Sequence, residues 1–149
     1  MKTAIILAGG TGTRVGSKIP KQFINVLGKP IIVYVIETFQ NMQEIDAIEI
    51  VCLENYIGYM EQLVEEYDLK KVKYIIPGGA TYHDSLIKGI DNLRNDLSDD
   101  DMIILHIGAS PFTSEEIIKD CICVCEKHGN GNSGTPLYIV LGTNNGECS

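Results

Sequence analysis

The chain holds 149 residues, 44% hydrophobic and 21% charged, enough to bury a core within one domain. Twelve basic against 20 acidic residues leave a net charge of −8, which argues against a nucleic-acid-binding surface. No apolar run approaches the ~20 residues that span a bilayer, and Ala4–Ala8 behind a lone Lys2 is too short for a secretory segment; the expectation is a cytoplasmic protein without membrane association.

In chain order, Thr3–Leu7 is a continuous apolar run that ends in glycines, the pattern of a buried parallel strand. A polar, glycine-rich loop follows from Gly9 to about Lys18. Pro30 opens a helix through Gln40, Ile48–Leu53 is a second strand, and Tyr56–Tyr67 is a helix with Ile57, Met60 and Val64 on one stripe. Val72–Ile76 is a third strand, closed by Pro77-Gly78-Gly79, and His83–Leu97 a helix with Leu86, Ile90 and Leu93 at helical spacing. After an acidic turn, Asp96–Asp101, come a fourth strand, Met102–His106, and a helix over Ser114–His128; Tyr138–Leu141 is a fifth strand.

This alternation predicts an α/β fold: a Rossmann-like, open and mostly parallel sheet with helices on both faces, in a single domain over residues 1–149. Ligands in such folds sit beyond the C-terminal ends of the strands, so three loops matter: Ala8–Lys21, Pro77–Ser85 and His106–Phe112. The run Asp99-Asp100-Asp101 lies at the opposite end and reads as a solvated turn. The cysteines number five, an odd count with no secreted framework. Cys121, Cys123 and Cys125 tempt a metal reading, but residues two apart on a helix point about 200° apart, so they read as ordinary thiols on an amphipathic helix.

The first loop carries the chemistry. Four glycines, Gly9, Gly10, Gly12 and Gly16, let backbone approach a ligand, and Arg14, Lys18 and Lys21 supply positive charge. Neither a Walker A motif nor a dinucleotide fingerprint fits, because each, started at Gly10, needs glycine at Val15. The loop is either a turn with exposed cations or a basic flap over a triphosphate. The coincidence of glycines and cations at a strand's C-terminal end favours the flap, with Arg14 and Lys21 neutralising charge as pyrophosphate leaves.

Ala8-Gly9-Gly10-Thr11-Gly12-Thr13-Arg14-Val15-Gly16 followed by Pro20-Lys21-Gln22-Phe23 closely resembles the signature of the 2-C-methyl-D-erythritol 4-phosphate cytidylyltransferase family, which includes ribitol-5-phosphate cytidylyltransferases. The resemblance continues through Gly28-Lys29-Pro30-Ile31, Gly78-Gly79, Asp84-Ser85-Leu86 and His106 with Pro111-Phe112, up to about Gly129. It implies a nucleotidyltransferase fold, CTP and a polyol phosphate as substrates, a divalent metal (usually Mg2+), pyrophosphate as product, a place in isoprenoid-type biosynthesis and a homodimer. It assigns Arg14 and Lys21 to catalysis and Ala8, Gly9, Gly10, Thr11, Gly12, Gly79 and Ser85 to the nucleotide, with Ala8, Gly9, Gly79 and Ser85 around the cytosine.

The sequence also departs from the family pattern. Ile107 stands where the family has its metal-binding Asp, Ser110 where it has Arg, Tyr82 where a second Arg is expected, and Ala80 where several members have Asp. The family's C-terminal segment, with a second metal-binding Asp and a substrate-binding Lys, is expected to be missing, the chain being either a fragment or a naturally shortened protein. A CTP-binding module with impaired or absent catalysis is therefore the rival reading; an NAD(P)-linked dehydrogenase is a weaker one, since it lacks both fingerprint and acidic partner. His83 is expected to cap a helix or face solvent, His106 to orient its loop by hydrogen bonding, His128 to interact with a helix dipole, and Asp84 either to cap a helix or to bind ligand.

Overall fold

Strand β1 (Lys2–Ala8) is buried along nearly its whole length and forms the centre of a four-stranded sheet in the order β5-β4-β1-β6. In the computed structural model, which describes residues 1–10 and 19–134, every strand pair of this sheet is parallel. Around β1 stand β4 (Ala47–Cys52), β5 (Val72–Pro77) and β6 (Met102–Ile107). The expected strand at Tyr138–Leu141 lies outside the described residues.

The registers decide which side chain faces which helix. Ile5 pairs with Glu49 and with Leu105, and Leu7 pairs with Val51 and with Ile107, so these residues share one face. On it Ile5, Leu7 and Val51 cluster with Leu93 of α3 (Tyr82–Leu93). Alternate residues face the other way: His106 pairs with Ile6 and meets the ring of Phe39 edge-on, centroids 5.2 Å apart, on α1 (Ile31–Asn41). Helices thus cover both faces, as the βα alternation predicts. A continuous apolar strand such as Ala4–Ala8 is the consequence, since neither of its faces meets water.

Two short elements were not foreseen. Lys21–Phe23 forms one 3-10 turn, and β2 (Asn25–Val26) pairs antiparallel with β3 (Lys29–Pro30). The hairpin's two-residue turn holds Leu27 and Gly28 at φ 52° and 87°, a conformation that suits glycine and leaves Leu27 fully in solvent. Helix α2 (Ile57–Glu66) follows a 3-10 turn over Glu54–Tyr56 and buries Met60 and Leu63. The acidic turn before β6 is closed locally: Asp101 accepts from the Ser98 N–H at 2.9 Å and pairs with the chain's terminal ammonium.

The chain divides into two compact units, Met1–Glu115 and Glu116–Ser149. The second holds all but the first residue of α4 (Glu115–His128), which ends with Lys127 and His128 in its last turn, where the dipole favours cations. Cys123 on this helix is exposed while Cys121 and Cys125 are half-buried, as their helical spacing dictates.

Candidate functional site

The three loops singled out by the sequence meet in one cavity of about 380 Å3 at the C-terminal ends of the strands. Its walls come from Leu7–Gly10 after β1, Lys21 and Gln22 of the 3-10 turn, Gly79–Tyr82 and Ser85 around the start of α3, and Ile107 and Ala109 after β6. Of the nine residues expected to hold nucleotide, Ala8, Gly9, Gly10, Lys21, Gly79 and Ser85 are brought together here; Thr11, Gly12 and Arg14 lie outside the described residues.

The second loop is braced from within. The side chain of Thr81, the N-cap of α3, accepts from the Asp84 N–H at 3.1 Å, and the Asp84 carboxylate accepts from the Thr81 N–H at 3.0 Å. This capping box satisfies backbone donors that a helix start otherwise leaves bare. Asp84 thus takes the capping role, one of the two expected of it. His83 is exposed and leaves the capping to Thr81. Ser85, almost fully buried, donates its hydroxyl to the Thr81 carbonyl and accepts from the Gly79 N–H, both at 3.0 Å. A β-carbon on Gly79 would fall 2.2 Å from that of Asp84, so only glycine lets the chain turn this tightly into α3. One on Gly9 would lie 3.4 Å from Ser85 Oγ, which shows how closely the first and second loops approach.

The third wall is apolar. Ile107 is 49% exposed and lines the cavity opposite Leu7. Gly108 passes close over β1, donating its N–H to the Leu7 carbonyl at 2.9 Å. His106 lies behind the site: its Nε2 is 3.0 Å from Thr113 Oγ1, the loop-orienting bond expected of it, and burial holds its pKa below the usual imidazole value.

A protein-held divalent metal does not fit the described residues of this cavity. No Asp or Glu lines it, no group of His, Cys, Asp and Glu among the described residues is arranged for a metal, and the carboxylate nearest in sequence, Asp84, is occupied by its cap. The cation among the described lining residues is Lys21.

Two contributors escaped the sequence reading. Gln22 is buried and donates from one amide nitrogen to the carbonyls of Ala8 (2.6 Å) and Gly10 (2.9 Å). Thr81 carries the brace of the second loop. A Thr three residues before an Asp, just ahead of an apolar helical stripe, is a legible capping signal for the latter.

A parallel sheet with a glycine-lined pocket at its carboxyl edge is the arrangement of an open α/β protein, in which ligands take their place beyond the strand ends. Within that class, the model of the 2-C-methyl-D-erythritol 4-phosphate cytidylyltransferase family matches residues 2–136, and the chain belongs to that family. It is 38% identical over 136 residues to a ribitol-5-phosphate cytidylyltransferase of Lacticaseibacillus paracasei, covering 91% of this chain and 58% of the relative. It is 39% identical over 139 residues to a 2-C-methyl-D-erythritol 4-phosphate cytidylyltransferase of Clostridium novyi, covering 93% and 58%. Among solved structures, a 4-diphosphocytidyl-2C-methyl-D-erythritol synthase from Anaerococcus prevotii superposes with a TM-score of 0.68 at 26% identity, over 85% of this chain and 51% of that one. The chain thus spans little more than half the length of the relatives it matches. No helix among the described residues is long and apolar enough to cross a membrane.

Proposed function

We propose that this chain binds CTP in the strand-end cavity and carries the nucleotide-handling part of a cytoplasmic cytidylyltransferase. The observation that carries the reading is the convergence of Ala8–Gly10, Lys21, Gly79 and Ser85 on one pocket. In the full reaction, a phosphate oxygen of a polyol phosphate attacks the α-phosphorus of CTP. The bond from that phosphorus to the β-phosphate oxygen breaks, and pyrophosphate leaves with the electron pair. No protein nucleophile is required; positioning and charge neutralisation suffice. Lys21, beside the glycine loop, places an ammonium where the triphosphate's negative charge accumulates, and Arg14 is assigned the same task from its place in the loop sequence. The backbone of Ala8 and Gly9, with Gly79 and Ser85 opposite, reads the base. The acceptor belongs to the class named for the relatives, a ribitol or methylerythritol phosphate.

The apolar Ile107 and the lack of a carboxylate in the described wall support a second reading, a CTP-binding module with little or no transfer activity. Two measurements on the full chain separate the readings. Thermal shift should show CTP stabilising the protein more than ATP or GTP, and Lys21→Ala should weaken that shift. Pyrophosphate release from CTP with ribitol 5-phosphate or methylerythritol phosphate should follow if the chain is a transferase, and Lys21→Ala should lower it about a hundredfold or more. Equal stabilisation by ATP would overturn the cytidine reading; CTP binding without pyrophosphate release would establish the module.

A further inference from the structure

Gln22 stands between two features of the cavity that must keep a fixed spacing. Its carboxamide nitrogen donates to the carbonyls of Ala8 and Gly10 at 2.6 and 2.9 Å, using both of its protons. Those carbonyls flank Gly9 in the segment that closes β1. On the chain, Gln22 follows Lys21 directly, within the same 3-10 turn. The turn's other end is anchored by Phe23, which is buried, stacks on Tyr56 (centroids 4.6 Å apart, planes 7° apart) and meets Tyr59 edge-on. Lys21 itself is only part-buried. Gln22 and Phe23 are the buried members of the turn that carries it, and Gln22 is the one bonded to the segment that closes β1.

We propose that Gln22 is a positioning residue that couples the backbone reading the base to the ammonium facing the phosphates. This rests on the reading of Ala8–Gly10 and Lys21 as nucleotide contacts and deepens it. Removing the amide leaves the buried Ala8 carbonyl and the more exposed Gly10 carbonyl without their shared donor, and removes this tie between the end of β1 and the turn that carries Lys21. Both Gly9 and Lys21 would then shift relative to each other, and a ligand that touches both would lose more than one that touches either.

The test is a double-mutant cycle on the full chain with Gln22→Met, of similar length but without donors, and Lys21→Ala, read as CTP affinity by calorimetry. Gln22→Met alone should weaken CTP binding about tenfold, the loss expected when the buried Ala8 carbonyl goes unsatisfied. In the Lys21→Ala background the same change should cost distinctly less. Amide NMR signals of Gly9, Gly10 and Lys21 should shift in ligand-free Gln22→Met while those of the β4 core stay in place. If Gln22→Met does not fold, Gln22→Asn, one methylene short of spanning both carbonyls, takes its place. Losses that simply multiply, or unshifted loop amides, would overturn the proposal. If the unaltered chain binds no cytidine nucleotide, the nucleotide reading falls, and the loop amides alone decide whether Gln22 holds the glycine loop to Lys21.

Discussion

The position of Ile107 concentrates the question of what this site can do. A triphosphate carries several negative charges, and transfer adds charge to the departing oxygens. A divalent cation ordinarily bridges such oxygens, with a carboxylate on the protein helping to hold it. Ile107 offers an apolar surface there, half exposed, on the strand end nearest β1. Because it is half exposed and not part of the core, a carboxylate fits without burying a charge. Ile107→Asp should therefore fold normally and bind CTP about tenfold or more tightly in the presence of magnesium than in its absence. The unaltered chain should show little such dependence, and calorimetry with and without magnesium checks the difference. Magnesium dependence of equal size in both proteins would mean that some other group holds the ion. At this scale the sequence was most informative where a residue type is chemically exclusive: isoleucine cannot ligate, and Gly9, Gly10 and Lys21, singled out by type, line the cavity. It was silent on Gln22, whose role depends on two carbonyls 14 and 12 residues away in the chain.

Elements position these residues, and the start of α3 does most of that for the second loop. The capping box between Thr81 and Asp84 fixes the first helical turn, and Ser85 one step on ties Gly79 to Thr81. Lys88 adds a bond to the Gly78 carbonyl at 3.0 Å from the next turn of the helix. Thr81→Ala removes the hydroxyl that accepts the Asp84 N–H and should cost about 1 kcal/mol. For a chain of this size that corresponds to about 4 °C in Tm. Thr81→Ser, which keeps the acceptor, should restore most of the stability and any CTP response lost with it. A Thr81→Ala protein as stable as the parent by thermal denaturation would show that the loop is held by Ser85 and Gly79 alone. Helices and strands among the described residues were legible to within a few residues because their apolar patterns run over six residues or more, bounded by glycine, proline or polar turns. The 3-10 turn and the β2–β3 hairpin were not, since elements of two or three residues carry no periodicity; the turn at Leu27-Gly28 offered only a single glycine as a sign.

For the molecule as a whole, the parallel order of the sheet followed from strand–helix alternation, and the place of the cavity followed from that order. What alternation could not reveal is a carboxyl group inside the core. Glu49 interrupts the apolar run of β4, is fully buried, and lies under α3 with Asn92 donating to its Oε1 at 2.7 Å; its Oε2 has no hydrogen-bond partner among the described residues. Its register neighbour Tyr74 directs its hydroxyl to Asp96 instead. Burial raises the Glu49 pKa from 4.5 to about 7, against the opposing effect of the Asn92 bond. Below pH 4.5 both folded and unfolded chains carry the proton, and the site costs nothing in charge. Between 4.5 and 7 the unfolded chain releases its proton while the folded chain keeps it, so stability falls as the pH rises across that window. Above 7 the loss levels off, at no more than about 3 kcal/mol. His106 acts on the other side: with its pKa lowered by burial, stability falls as the pH drops below the ordinary imidazole value of 6.5. The two slopes oppose each other in the parent protein, so a comparison isolates the first. Glu49→Gln keeps an acceptor for Asn92 and carries no proton to lose. Its stability relative to the parent should therefore increase from about pH 5 to about pH 7 and level off above that, measured by urea denaturation up to about pH 8. A difference between the two proteins that stays constant with pH would show that Glu49 is charged in the folded chain throughout, and that water or a rearranged partner reaches Oε2.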